Sequence, residues 1–345
     1  MQQSKTKYFN FKILFLGSIW IFIFLILPLL LNYNPNETDA LNAPFKSPFE
    51  DNFKLENGQL QKLSWFQKHW LGTDQLGRDV FSGIVYGLHI SIFTGLSAAF
   101  LSLIIGFSLG ILAGISGKGF LKIYPFEKFS HIFLIVLGFY YLFFNPFTAL
   151  KWNALLAIIF LLIIALIIKL VHKKLNIKKT DWFIDNVIMR FTEVFNAIPK
   201  IILILSVVAI TGRSLWILIF IIAFSSWTST MRIVRAEVLK ISAQQFIEYE
   251  KSIASHLPRI VFKHILPNLK AIAAVLFIQI FSNAIIIEAS LSFIGLGLPE
   301  NMQTIGSLLF TGAKNIHAWW MIFFPGLTLT LLLISCNRFL NSAKH

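Results

Sequence analysis

The chain has 345 residues, of which 56% are hydrophobic and only 13% charged, whereas a soluble domain of this size carries roughly a quarter charged residues. Several apolar runs of about twenty residues reach the length that a hydrocarbon core of about 30 Å demands at a rise of about 1.5 Å per residue, so the class is an all-α, polytopic helical membrane protein. Its net charge of +14 is what excess Lys and Arg on cytoplasmic loops produces, and without an aromatic-basic RNA-binding pattern a nucleic-acid partner is excluded.

Taken in chain order, the apolar runs predict eight transmembrane helices, at roughly 13–31, 88–115, 130–147, 153–171, 186–210, 214–234, 270–290 and 319–338. The first follows a basic start and has no small-x-small cleavage site after Leu31, so it reads as an uncleaved spanning helix rather than an export signal. Around the second run, Gly83 and Gly87, then Gly106, Gly110 and Gly114, stand four apart on one helix face, where a neighbouring backbone can approach closely. Spacing alone leaves open whether that neighbour belongs to this chain or to a second subunit. An even number of spans puts both termini on one side. The segments before the first span, at 118–128, 169–179 and 232–270, and after Arg338 hold about two thirds of the Lys and Arg. Both termini and the stretch 232–270 are therefore expected in the cytoplasm.

Motifs for chemistry on this chain are missing. The stretch "GISGKGF", Gly114 to Phe120, lacks the spacing of a phosphate-binding loop, so ATP and its Mg²⁺ are expected on another polypeptide. His256 and His264 are eight apart with no carboxylates set around them, so no metal site is expected; no nucleophile elbow occurs, and no catalytic residue is assigned. The single cysteine, Cys336, sits in an apolar run and reads as packing. Within the spans, Asn196, Ser225, Ser226, Thr228, Ser229, Asn283 and Glu288 are the notable polar positions. Glu288, at the outer end of its span, is expected to make a structural hydrogen bond; the functional alternative is that it lines a pathway.

The stretch "EYEKSIASHLPRIVFKHILPN", Glu248 to Asn268, is a charged, proline-punctuated insert between apolar runs. Residues 236–253 suit a helix. Ser255 is then the expected N-cap of a second short helix, with Pro258 in its first turn, where a missing N–H costs little. The second segment carries Arg259 and His264 among apolar residues at helical spacing and ends in Leu266, Pro267 and Asn268. Two short helices along the cytoplasmic membrane surface follow. The bland reading is a loop that only satisfies topology; its length, the acidic Glu248 and Glu250 and its "ILPN" end favour a shape presented to a partner.

This stretch resembles the ATPase-docking loop of binding-protein-dependent ABC importers, in which E-A-A-x-x-x-G precedes an isoleucine, leucine, proline sequence. "HWLGTDQLGRDVFSGIVYGLHISI" (His69 to Ile92), "WTSTMRIVRAEVLK" (Trp227 to Lys240), and "EASLSFIGLGLP" (Glu288 to Pro299) with "AWWMIFFPGL" (Ala318 to Leu327) are similar to segments of a narrower group, the second permease subunit of dipeptide, oligopeptide and nickel importers. The resemblance covers about 65–120 and 182–340. It implies a type I importer permease fold of six family helices, here joined by two inserted ones. The divisions are an N-terminal helix and extracytoplasmic segment (1–64), the second family helix with its lead-in motif Gly72, Thr73, Asp74, Gly77, Arg78 and Asp79 (65–117), the inserted pair (118–181) and the core (182–345) with the docking loop at 236–268. Two departures stand out: Tyr249, Glu250 and Ala254 replace the family's two alanines and glycine, and 118–181 has no family counterpart.

The function implied is a subunit of a bacterial inner-membrane importer, taking up peptides, or alternatively nickel or another small solute, by alternating access. Its implied partners are a homologous permease, two ATPase subunits and an extracytoplasmic binding protein. Outside that family, the rivals are a proton-coupled secondary transporter that uses Glu288, and a membrane scaffold or receptor.

Overall fold

The computed structural model describes residues 44–50, 53–56, 59–62, 69–117, 122–123, 180–181, 184–253, 255–299 and 302–343. The expected spans at 13–31, 130–147 and 153–171 lie outside them. Helices dominate. Besides them, among the described residues, are two antiparallel two-stranded sheets, which an all-helical expectation did not contain: β1 (Phe53–Glu56) with β2 (Gln59–Lys62), and β3 (Lys122–Ile123) with β4 (Thr180–Asp181). The Asn-Gly pair between β1 and β2 is the sequence signature of a tight hairpin.

The helices are α1 (Val80–Gly117), α2 (Ile184–Ala197), α3 (Lys200–Thr211), α4 (Leu215–Ser242), α5 (Gln245–Ser252), α6 (Leu257–Ile260), a π-helical turn (Val261–Ile265), α7 (Leu266–Asn268), α8 (Lys270–Phe293), α9 (Ile305–Lys314) and α10 (Trp320–Ala343). Among the described residues, four are long and apolar enough to cross a membrane (α1, α4, α8 and α10), and five spans result if α2 and α3 are counted as one broken span. That break corrects the expectation of a continuous helix over 186–210. Pro199 takes an extended conformation, φ −56° and ψ 125°. Proline lacks the N–H that would close the turn and disfavours helical geometry at the residue before it.

The described residues form two compact units. The first draws on 1–106, 196–230 and 270–345. One of its apolar clusters joins Ile90, Ala98, Ile204, Val208, Leu218, Ile222, Ala284 and Leu291. Another joins Val80, Ile84, Leu88, Ile285, Ile305, Leu308, Trp320, Met321 and Leu332. Here Gly87 lets α1 lie against the start of α9, since a Cβ would fall 2.8 Å from the Ile305 amide nitrogen. At Gly106 a Cβ would meet the Thr230 side chain and the Trp227 carbonyl.

The second unit draws on 107–195 and 231–269. In it the glycine face continues: a Cβ on Gly110 would stand 2.8 Å from Val234 Cβ, and one on Gly114 2.6 Å from Val238 Cβ. For Gly106, Gly110 and Gly114 the neighbour that spacing left open is thus α4 of the same chain. Asp185 on α2 holds Arg235 on α4 through two hydrogen bonds, Arg235 Nε to Oδ1 and Nη2 to Oδ2 (2.6 Å). That pair ties α2 to the segment Trp227 to Lys240.

Candidate functional site

The insert between α4 and α8 begins where α4 stops at Ser242. The chain turns at Ala243 and Gln244, whose amides bond back to Lys240 and Ile241 carbonyls, and Gln244 is extended (φ −81°, ψ 147°). One helix over 236–253 was expected; two occur. Helix α5 buries Ile247 and exposes Phe246, Glu248 and Tyr249. Past it, Ile260, Ile265 and Leu269 turn inward, each at most 2% exposed, whereas Phe262 is 70% exposed. An apolar face therefore anchors the insert while aromatic side chains project from it.

The N-cap before α6 is His256, extended at φ −63° and ψ 137°, and not Ser255. The Ser255 hydroxyl instead donates to the Glu250 carboxylate, and its amide donates to the Glu250 carbonyl at 3.0 Å. A carboxylate is the stronger hydrogen-bond partner, so the serine serves the preceding helix rather than the next. Pro258 stands in the first turn of α6, as expected. The other Glu250 oxygen lies 3.1 Å from His264 Nε2, and the His264 ring packs beside Phe246 with centroids 5.8 Å apart. The Ser255 hydroxyl, then the charges of Arg259 and His264, hold the Glu250 carboxyl below the usual carboxylate range. Glu250, which departs from the family pattern, is thus the tie between the two halves of the insert.

Pro267 has no N–H to give, and the turn before it widens: the Leu266 amide reaches back five residues to the Val261 carbonyl. Asn268 Nδ2 closes this end on the His264 carbonyl at 2.7 Å. Arg259, His256, Pro258, Pro267 and Asn268 face outward, and Ala254 lies outside the described residues.

The structure brings all six lead-in residues into one tight loop. Gly72 and Gly77 have positive φ, +80° and +74°, which glycine adopts at little cost. Asp74 is its hub: Oδ1 accepts from the amides of Leu76 (2.8 Å) and Arg78 (2.9 Å), and Oδ2 from Arg78 Nε at 2.7 Å. Thr73 and Asp79 bridge across the loop. Asp79 Oδ2 then caps α1 through the Ser82 amide at 2.7 Å, while Oδ1 lies 3.0 Å from His69 Nδ1. Trp320 Nε1 donates to the Thr73 carbonyl at 3.3 Å. The loop seats α1 and shows no arrangement for chemistry. Beside it a cavity of about 570 Å³ is walled in part by Arg78, Arg213 and Lys314.

Glu288, fully buried, accepts hydrogen bonds from Ser91 Oγ on α1 (2.6 Å) and from Ser292 Oγ one turn along α8 (3.0 Å). It fastens α8 to α1 within the first unit. Asn196 accepts from the Thr228 hydroxyl at 3.0 Å, the Ser226 carbonyl accepts from Thr230, and Asn283 is exposed on α8, apart from both. One residue escaped the sequence reading. Lys200, the first residue of α3, donates from Nζ to Ser229 Oγ at 3.3 Å. The signal was there, a lysine directly after Pro199 inside an apolar run, but a span drawn across the break concealed it.

Several helices long and apolar enough to span, with a shaped helical insert between two of them, define a polytopic helical membrane protein. The chain matches, over residues 176–343, the model of the binding-protein-dependent transport system inner membrane component family. It is similar to the oligopeptide transport system permease protein of Bacillus subtilis, 24% identical over 329 residues that cover 94% of this chain and 81% of that protein. It is also similar to the di/tripeptide transport system permease protein of Pseudomonas aeruginosa, 27% identical over 303 residues, covering 86% and 79%. Among solved structures, it is similar to the MetNI methionine ABC transporter in inward-facing conformations, with a TM-score of 0.41, 15% identity and coverage of 74% of this chain and 95% of that chain.

Proposed function

We propose that the chain is the transmembrane permease subunit of an ATP-binding-cassette importer that takes up peptides. The substrate class is supported by the similarity to oligopeptide and di/tripeptide permease proteins. In this reading the chain pairs with a homologous permease, receives substrate from an extracytoplasmic binding protein and is moved by two ATPase subunits that carry the ATP and Mg²⁺. Both termini and the insert lie on the cytoplasmic side of a bacterial inner membrane, as its basic segments favour.

The observation that carries this reading is the construction of the insert. Buried Ile247, Ile260, Ile265 and Leu269 fix it to its own unit, while Phe246, Tyr249, Ile253 and Phe262 stand exposed. Exposed aromatic and aliphatic side chains on a rigid base are what a partner protein grips. Glu248, Arg259 and His256 supply charge and polarity at its rim, and Glu250 with Ser255 and His264 keeps the two halves in register. ATP-driven approach of the ATPases then pulls on the insert, and α4 and α8, which continue from its two ends, carry the motion into the membrane.

A cysteine crosslink tests this. With Cys336 changed to serine, Tyr249→Cys or Phe262→Cys is expected to crosslink to an ATPase subunit in membranes, and ATP is expected to change the yield. Crosslinks that never reach an ATPase from either position would overturn the docking role.

A further inference from the structure

We propose that Lys200 is a substrate-binding residue of the translocation pathway, and that its ammonium takes the carboxylate of the peptide in transit. This rests on the peptide-importer reading above.

Depth is the first consideration. Lys200 stands eleven residues before Thr211, the last residue of α3, and its partner Ser229 fourteen residues after Leu215, the first of α4. At about 1.5 Å per residue the two meet roughly 17–21 Å from those ends, beyond the middle of a hydrocarbon core of about 30 Å entered there but still inside it. An ionisable group at that depth is costly and is by default a candidate for function.

The second consideration is what surrounds it. Lys200 has no carboxylate partner among the described residues; its hydrogen bond goes to a neutral hydroxyl. The nearest carboxylate along the chain, Glu193, is held by Arg190 at 3.0 Å. Ile198, Ile201 and Ile202, beside it in sequence, are each about half exposed, so the charge sits in an apolar belt on the open side of its unit. An unneutralised ammonium in such surroundings is costly, and an anion from outside the chain removes the cost.

The third is the helix break. Pro199 gives α3 a free amino end with no side-chain cap, which adds positive potential where the lysine stands. Interrupted helices at membrane depth recur where transporters hold charged substrate groups. Asn196 and Thr228, paired at 3.0 Å, extend the polar patch. Every peptide with a free C-terminus brings the carboxylate this arrangement lacks.

The test uses the complete importer in proteoliposomes with its own binding protein, and compares uptake of a tripeptide with uptake of its C-terminal amide. Because the binding protein is the same throughout, its preference cancels when the acid-to-amide ratio of a variant is divided by that of the wild type. Lys200→Gln is expected to lower that ratio about tenfold, the scale of one charge-assisted hydrogen bond, with amide uptake nearly unchanged. Lys200→Arg is expected to keep it. Equal loss for both substrates would mean that the lysine meets an acid of the partner permease or serves packing, and no change would mean that it touches nothing that matters; either overturns the proposal. A second readout does not depend on the amide. Lys200→Cys with Cys336 removed is expected to react with a charged methanethiosulfonate reagent, more slowly when peptide is supplied; a cysteine that never reacts faces lipid and overturns it too. Absence of wild-type peptide uptake would instead refute the importer reading itself.

Discussion

Replacing Gly110 tests the packing of α1 on α4. A Cβ there would lie 2.8 Å from Val234 Cβ and 2.9 Å from the Met231 carbonyl oxygen, about 1 Å short of the 3.5–4.0 Å at which non-bonded carbon contacts are favourable. Neither neighbour yields easily, since one is backbone and the other a β-branched side chain with a stiff χ1. Overpacking costs about 1–3 kcal/mol, against a gain of about 1 kcal/mol for alanine over glycine in a helix. Gly110→Ala is therefore expected to lose about 1 kcal/mol net, and Gly110→Val, with two more carbons and no propensity gain to match, about 3 kcal/mol. Ser108→Ala, exposed on the same turn, should stay within about 0.5 kcal/mol. Thermal-aggregation midpoints of the detergent-purified complex, read at one scan rate, should rank Ser108→Ala near wild type, then Gly110→Ala, then Gly110→Val. A Gly110→Ala protein more stable than wild type, with Gly110→Val unharmed, would refute the close approach.

Three other perturbations have defined outcomes. Asp185→Asn leaves Arg235 without its charged partner and is expected to cost about 1–3 kcal/mol, seen as a lower aggregation midpoint; an unchanged midpoint would mean that the pair is solvated. Glu288→Ala strands the hydroxyls of Ser91 and Ser292 at about 1–3 kcal/mol, while Glu288→Gln, which keeps one acceptor and offers an amide donor that the other hydroxyl can accept by rotating, should retain ATP-driven uptake. Loss of uptake in a stable Glu288→Gln protein would favour the proton-coupled rival. The Glu250 carboxyl is held below the ordinary value of 4.5, by Ser255 first, so its stabilisation is present above that value and lost as pH falls beneath it. Hydrogen exchange across 245–268 should accelerate in that acid window, and Ser255→Ala should move the onset upward; exchange indifferent to both would remove Glu250 as the tie.

Much of this was legible in the sequence because apolar run length is a strong signal in a membrane: α1, α4, α8 and α10 fall where runs of about twenty residues placed them. What escaped was local. Pro199 was read inside a span because hydropathy averages over a window and a single proline barely changes it, and Lys200 went unnoticed with it. Ser255 was expected to cap the next helix, but a serine hydroxyl goes to whichever strong partner folding brings near, and Glu250 is five residues away. The glycine face showed that a close approach exists, while its partner needed the fold, since Val234 and Val238 are more than a hundred residues distant. For the candidate site, the motifs marked the stretch; which side chains anchor it and which project came only from the burial pattern of α5 to α7.

The central claim, that this chain is moved by ATPases docked on its insert to carry peptide inward, is tested most directly by uptake of a labelled peptide into proteoliposomes holding the full complex. Uptake is expected to require ATP inside, binding protein outside and an intact insert, and to fall at least tenfold when Tyr249 and Phe262 are both changed to aspartate while the complex's lipid reconstitution is unaffected. Uptake that continues without ATP and collapses when a proton gradient is dissipated would contradict it.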